Sequence, residues 1–443
     1  MAATEKQLYN GGATGRLYTD RRDFYMSPQM TKELWGAVTP YTTIVSNKRL
    51  DGGLKDPMFK GFEHRSKWPE QYFQTSSVVT IAADNAPGTI AVKAGSIVGL
   101  EGAGGNYAYN SWVPLELEVW DSTLTTRRGV LLVTAVTGSG SSANLSVKNA
   151  GSSSITTAAN DYLFVVGNAQ GEGTDSPEPW ADDLGIFWNQ TQIFKTPIQV
   201  TGTIYHAALR GYSNELARLR MEKNKEHKIQ KEKAFLYGTS PIGIGQSGDT
   251  FMDGKLTDAN GNVVRTTYGI ISALMDYGTT SGADQNKFTI AEATYNYSNL
   301  VDDMEKVFYY EPEAGYKYAL CGPGAMSYWS KMDGTNFFAG KSNWLVNVSE
   351  EKRDGLGFNF KYLETPHGVL KLVKAPVMKN PSPYNKFMVV ISDENLSYKQ
   401  YRPMKFQANI KTDNAFDGIK DQYMSDEGVA LGLLESHKLF QIT

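Results

Sequence analysis

One cysteine, Cys321, stands among 443 residues, so the chain can form no internal disulfide and no multi-cysteine metal site. That is the usage of a protein made in a reducing cytoplasm. No apolar run reaches the ~18 residues that a membrane-spanning helix needs. The opening Met1-Ala2-Ala3-Thr4-Glu5-Lys6 lacks the apolar core of a secretion signal, so neither export nor membrane insertion is expected. Charge of one sign is missing too: 44 Lys and Arg stand against 47 Asp and Glu, a net of −3. This excludes coating nucleic acid by bulk charge and leaves room only for a local basic face.

Catalytic patterns are equally scarce. The 5 histidines (His64, His206, His227, His367, His437) include no HxxxH or HxH pair and read as structural side chains. There is no Walker A sequence and no G-x-S-x-G elbow. Gly243-Ile244-Gly245-Gln246-Ser247-Gly248 matches G-x-G-x-x-G, but it follows a helical stretch and opens no helix, so it reads as a flexible loop. Asp258-Ala259-Asn260-Gly261-Asn262 has a faint calcium-loop look. Gly269 stands where the closing glutamate would be, and a hairpin turn at Asn260-Gly261 is the better reading. Asp302-Asp303 and Glu350-Glu351 are adjacent rather than convergent, which gives no glycosidase pair. No catalytic residue, metal site or cofactor is assigned, and an enzyme is not expected.

What is present is an ordinary globular composition, 41% hydrophobic and 21% charged, on a chain long enough for two or three domains. The first 26 residues are polar, with Gly11, Gly12 and Gly15. A short helix is then predicted, capped by Ser27, with Pro28 in its first turn, Met30, Leu34 and Val38 on one face, and Pro40 as its stop. From Asp56 to Thr201, short runs (Ser77–Ile81, Glu116–Trp120, Val130–Val136, Tyr162–Val166) alternate with Gly, Ser, Asn and Asp clusters. The pattern predicts a small antiparallel β module on an extended excursion.

At Gly202 the texture turns helical. From Ile204 to Tyr237 there is no proline and only Gly211, and Leu209, Tyr212, Leu216 and Leu219 fall at three- and four-residue steps. Such a helix would span roughly 50 Å at about 1.5 Å per residue. Arg210, Arg218, Arg220, Lys223, Lys225, Lys228, Lys231 and Lys233 outnumber its 4 acidic residues, which suggests a solvated face or one turned toward DNA or a neighbour. The remainder reads as α/β. Helices are predicted over Thr266–Tyr277 and after a Thr289/Glu292 capping box, with Tyr297, Leu300, Met304 and Phe308 on one face. Strands are predicted at Tyr318–Cys321, Phe358–Tyr362, Val369–Val373, Lys386–Ser392 and Leu396–Phe406. There is no internal repeat.

The order of parts, and a few specific stretches, resemble the capsid fold named after phage Hong Kong 97, over nearly the whole chain. The most specific is Gln192-Ile193-Phe194-Lys195-Thr196-Pro197-Ile198-Gln199-Val200-Thr201-Gly202-Thr203, leading to a helix that ends Glu232-Lys233-Ala234-Phe235-Leu236-Tyr237-Gly238. It is similar to the strand-to-spine junction of capsid proteins whose E-loop holds a β insert. Leu131–Val136, Leu145–Lys148 and Phe164–Gly173 resemble that insert. Asp417-Gly418, Glu427-Gly428-Val429 and Leu434–Ile442 resemble the closing strands.

The resemblance implies an α+β fold: N-arm (1–53), extended E-loop with a small β insert (54–200), P-domain with long spine helix and following loop (201–262), α/β A-domain (263–395), and closing strands shared by the P- and A-domains (396–443). It implies a tailed-bacteriophage major capsid protein, assembled in the host cytoplasm into pentamers and hexamers of an icosahedral shell. Its partners would be itself, a separate scaffolding protein, a portal, a cementing protein and packaged double-stranded DNA held without sequence preference, with no membrane. Met30, Leu34, Trp35, Phe62, Trp68 and Phe73 are the expected intersubunit anchors, and Arg218, Arg220, Lys223, Lys225 and Lys228 the interior basic helix face. No cleaved coiled-coil leader and no lysine–asparagine crosslink are expected. The alternative is a phage surface or tail protein that binds glycans through the β module.

Overall fold

A computed structural model describes residues 39–47, 53–65, 71–93, 113–137, 143–176, 184–206, 215–246, 249, 256–282, 284–311, 315–332, 348–353, 359–379, 382–411 and 416–443. The chain forms two compact units, Phe62–Ile186 and Met1–Gly61 with Phe187–Thr443. Helix α1 (Pro40–Ser46) and strand β1 (Met58–Glu63) come first. Pro40 begins α1. A proline has no N–H to lose in a first turn, and its fixed φ suits that place. The helix predicted from Ser27 lies outside the described residues.

The unit Phe62–Ile186 holds β2 (Tyr72–Gln74), β3 (Val79–Ile81), β4 (Pro87–Ala91), β5 (Leu115–Trp120), β6 (Arg127–Thr137), β7 (Asn144–Asn149), β8 (Ile155–Thr157) and β9 (Tyr162–Asn168). Six of them form an antiparallel sheet in the order β2-β9-β5-β6-β7-β4, and β3 pairs with β8. Alternation decides which face is covered: in β5, Leu115, Leu117 and Val119 are buried while Glu116, Glu118 and Trp120 stay partly exposed. They share one core with Ile90, Leu131, Val133, Leu145, Val147 and Leu163. Phe73, expected as an intersubunit anchor, is fully buried in this core and cannot serve as one. On the other face Tyr72, Tyr162 and Phe164 cluster, with ring centroids 5.5–6.1 Å apart.

The second unit continues with β10 (Gly185–Gln190), which pairs with β1, and β11 (Gln192–Thr201). Next come α2 (Gly202–His206), α3 (Glu215–Tyr237), α4 (Ile270–Tyr277), β12 (Lys287–Ile290) and α5 (Tyr297–Phe308). They are followed by β13 (Tyr316–Cys321), α6 (Pro323–Met332), β14 (Val348–Arg353), β15 (Asn359–Thr365) and β16 (Gly368–Lys374). The C-terminal part holds α7 (Ser382–Asn385), β17 (Phe387–Ile391), β18 (Leu396–Gln407), β19 (Gly418–Leu431) and β20 (Lys438–Ile442).

A seven-stranded mixed sheet runs β12-β20-β17-β13-β16-β15-β14. All five residues of β17 are buried, because both faces of this sheet are covered. Leu320, Val389, Ile391 and Leu439 face α4 and the end of α3, whereas Ala319, Met388, Val390 and Phe440 face α5 and α6. The capping box expected at Thr289/Glu292 is not used, since Thr289 lies in β12. Helix α5 is capped by Asn296, whose side chain accepts from the Asn299 N–H at 3.1 Å. The Asn260-Gly261 turn forms as expected, with the Asp258 carboxylate accepting from the Asn260 and Asn262 N–H groups.

The β module depends on one buried carboxylate. Asp161 accepts from the N–H groups of Ser122 (3.0 Å) and Ala158 (2.7 Å) and pairs with Arg128 Nε at 2.8 Å. Replacing Asp161 with alanine leaves these donors unmatched and should cost about 2–4 kcal/mol. Hydrogen exchange is expected to show lost protection over residues 115–168 and none over 287–321. Unchanged protection of the module would contradict this role.

Candidate functional site: a charged seam and the surfaces around it

Helix α3 lies over the antiparallel sheet β11-β19-β18. Its covered stripe runs through Leu216, Arg220, His227, Lys231 and Phe235, at helical spacing, yet only its ends are apolar. The matching residues come from β19, where alternate positions Asp421, Ser425 and Glu427 point the same way. Arg220 reaches Asp421 at 2.6 Å, and its guanidinium lies 5.0 Å from the Phe406 ring centre. Lys231 meets Glu427 at 2.8 Å, with side chains 8% and 1% exposed. A period of 3.6 on the helix and of 2 on the strand thus bring opposite charges into register.

His227 sits between these pairs, with Nδ1 2.9 Å from Thr196 Oγ1 and Nε2 2.9 Å from Ser425 Oγ. A neutral ring donates at one nitrogen and accepts at the other, and the hydroxyls rotate to suit. Burial and the nearby Lys231 ammonium hold its pKa down at about 4. Glu232 points to the other side and joins α1 to α3. Its fully buried carboxylate accepts from the backbone N–H of Tyr41 (2.9 Å) and Thr42 (2.6 Å) and from the Thr42 hydroxyl. A side chain 190 residues away thus caps α1, whose own Thr39 provides no side-chain cap. Burial pushes the Glu232 carboxyl up to about 7 against the opposing pull of these donors.

The expected basic face of α3 is largely neutralised within the chain. Arg218 pairs with Glu215 and Glu222, Lys223 with Glu226 at 2.6 Å, and Arg220 with Asp421. Counting charges along the sequence missed this because residues three and four apart are neighbours on a helix. Lys225 is half-buried and Lys228 exposed. Phe62 is 72% exposed on β1, while Met30, Leu34, Trp35 and Trp68 lie outside the described residues. Sequence reasoning missed Glu232, Asp421, Asp426 and Glu427, because polar residues in a strand or helix ordinarily read as solvent-facing. Among the described residues, no three His, Cys, Asp or Glu side chains converge to hold a metal ion.

The described residues thus form two units, each with its own core, with one long helix fixed to a sheet by ion pairs within the chain. The profile of the SU10 major capsid protein family matches residues 39–424. The chain belongs to that family. It is therefore a phage major capsid protein, a structural component of the virion shell. Solved structures that this capsid protein resembles include a chain of Mycobacterium phage Bobi, at 7% identity over 98% of this chain and 99% of that one, TM-score 0.44. Others are the capsid of cyanophage P-SCSP1u, at 8% identity, covering 62% and 80%, TM-score 0.34, and the SrpI encapsulin of Synechococcus elongatus, at 7% identity, covering 59% and 76%, TM-score 0.37. No curated protein matches the chain by sequence.

Two tests follow for the capsid protein's seam. Lys231→Ala strands a buried carboxylate and should destabilise by about 3–5 kcal/mol, while Lys231→Met with Glu427→Leu should recover most of the loss. A double variant no more stable than the single one would contradict the pairing.

The second test is pH. The raised Glu232 pKa gives stability that is full below about 4.5 and lost as pH rises through about 7. The lowered His227 pKa gives stability that is full above about 6.5 and lost as pH falls through about 4. The two oppose each other between about pH 5 and 7. Glu232→Gln should therefore melt at a temperature that climbs over this range more steeply than the parent's; parallel curves would contradict the assignment.

Proposed function

We propose that copies of this chain close into an icosahedral shell of pentamers and hexamers around packaged double-stranded DNA, assembled in the cytoplasm of a bacterial host. The observation that carries this reading is the family match over residues 39–424. The same match favours a shell protein over a glycan-binding surface or tail protein, and it assigns no catalysis.

The finer reading is a fold of the Hong Kong 97 type, divided into N-arm (1–53), E-loop (54–200), P-domain (201–262), A-domain (263–395) and closing strands (396–443). In support, the compact unit Phe62–Ile186 falls inside the E-loop range, and the described spine helix α3 falls inside the P-domain range. The E-loop would reach a neighbouring copy. Phe62, with Met30, Leu34, Trp35 and Trp68, would supply apolar anchors at such contacts. Symmetric closure of one repeated contact set then limits size, and partners would be a separate scaffolding protein, a portal and a cementing protein.

Protein expressed alone and with a scaffold candidate should give curved particles or closed shells under negative stain in at least one condition. A monomer or trimer under both would overturn the proposal. Phe62→Ser should leave the melting temperature within about 2 °C, since surface changes cost little. It should raise the protein concentration needed for assembly about tenfold, the loss of one modest anchor. Assembly at the parent's concentration would remove Phe62 from the contact set.

A further inference from the structure

The sheet β11-β19-β18 has a second face, turned away from α3, and its charge is not neutralised in the same way. Along β11 the exposed residues are Ile193, Lys195, Pro197, Gln199 and Thr201, alternating with the buried residues under the helix. Register carries this face across the sheet: Lys195 lies opposite Met424, which lies opposite Lys405, and Gln199 lies opposite Lys420. Lys195, Lys405 and Lys420 are exposed. Among the described residues no carboxylate lies within ion-pair distance of any of the three. Asp426, a carboxylate at this face, is fully buried and already shared by Arg402 at 3.2 Å and Arg265 at 3.6 Å. Among the described residues, Oδ1 of Asp426 and Nε of both arginines have no hydrogen-bond partner.

We infer that this open face, rather than helix α3, is the surface that touches packaged nucleic acid, through its phosphates. The inference rests on the capsid reading. Strands about 4.8 Å apart with a rise of about 3.3 Å per residue spread the three lysines over roughly 10 by 13 Å, enough to meet more than one phosphate. The face is presented by strand residues, and lysines at these positions can hold a duplex by its phosphates without reading base edges. Its chemistry argues against a protein partner. Interface cores are depleted in lysine and built on aromatic anchors, whereas here Met424 lies between Lys195 and Lys405, with Ile193 and Pro197 as the apolar residues diagonal to it on β11. The aromatic residue of this part of β18, Phe406, is engaged instead by Arg220 and Tyr423.

The test compares full-length protein, Lys195→Ala/Lys405→Ala/Lys420→Ala, and Lys223→Ala/Lys225→Ala/Lys228→Ala, each titrated with a duplex of arbitrary sequence over a range of salt. Shell formation is followed in parallel by microscopy. Each phosphate contact contributes about 0.9 to the slope of log affinity against log salt. The sheet variant is expected to lower that slope by about 2–3 while still forming shells, and the helix variant to keep the parent's slope. An unchanged slope in the sheet variant, a loss confined to the helix variant, or no binding by the parent at low salt would overturn the inference and leave the shell reading intact. Shells formed by the parent but not by the sheet variant would instead make this face a contact between copies, which also overturns it. Failure of the parent to form any shell counts against the capsid reading itself.

Discussion

The structure depends on one constraint: helix α3 must be held on β11 and β19 although the middle of its covered stripe is polar. Arg220–Asp421 and Lys231–Glu427 meet that constraint, with His227 wedged neutral between Thr196 and Ser425. Buried pairs of this kind contribute less net stability than an apolar stripe of equal size would, because desolvation opposes the attraction. Their benefit is register. An apolar helix can slide on a sheet by one turn at small cost, whereas a slide here would leave the buried Lys231–Glu427 pair and the buried Asp421 carboxylate unmatched. For a subunit that repeats itself around a closed shell, a fixed angle between its parts matters more than a few kcal/mol.

From that seam the other elements take their places. Glu232, one residue beyond Lys231, points to the other side and caps α1, which ties residues 40–46 to the far end of α3. Phe235 and Leu236 then enter the core shared with α4 and one face of the seven-stranded sheet, and α5 and α6 cover its other face. The sheet beneath α3 gains a division of labour: one face carries paired charge under the helix, and the other carries exposed lysines. The unit Phe62–Ile186 needs none of this, since its apolar core and Asp161 suffice for its own sheet.

Much of this was legible in the sequence, and what was missed has physical reasons. Alternation found β5, β6 and β9, and a strand was expected at Lys386–Ser392, where β17 lies; its burial on both faces is visible only in the fold. The helix ending at Tyr237 was visible from the lack of proline. One boundary was misread: Asn296 caps α5 in place of Thr289, which lies in a strand. The candidate site was read less well. Charge counting showed a basic α3 but could not show that Asp421 and Glu427, some 200 residues away, meet it. Phe73 was chosen for its aromatic character, and only the fold shows that its side chain faces the module's own core.

The most direct test of this account is hydrogen exchange on unassembled and assembled protein. If the seam belongs to the single chain, the amides of residues 215–237 and 418–431 should be slow in both states, while assembly adds protection chiefly in residues 62–186. Fast exchange of α3 and β19 before assembly, slowing only in the shell, would mean that neighbours rather than these internal ion pairs hold the helix in place.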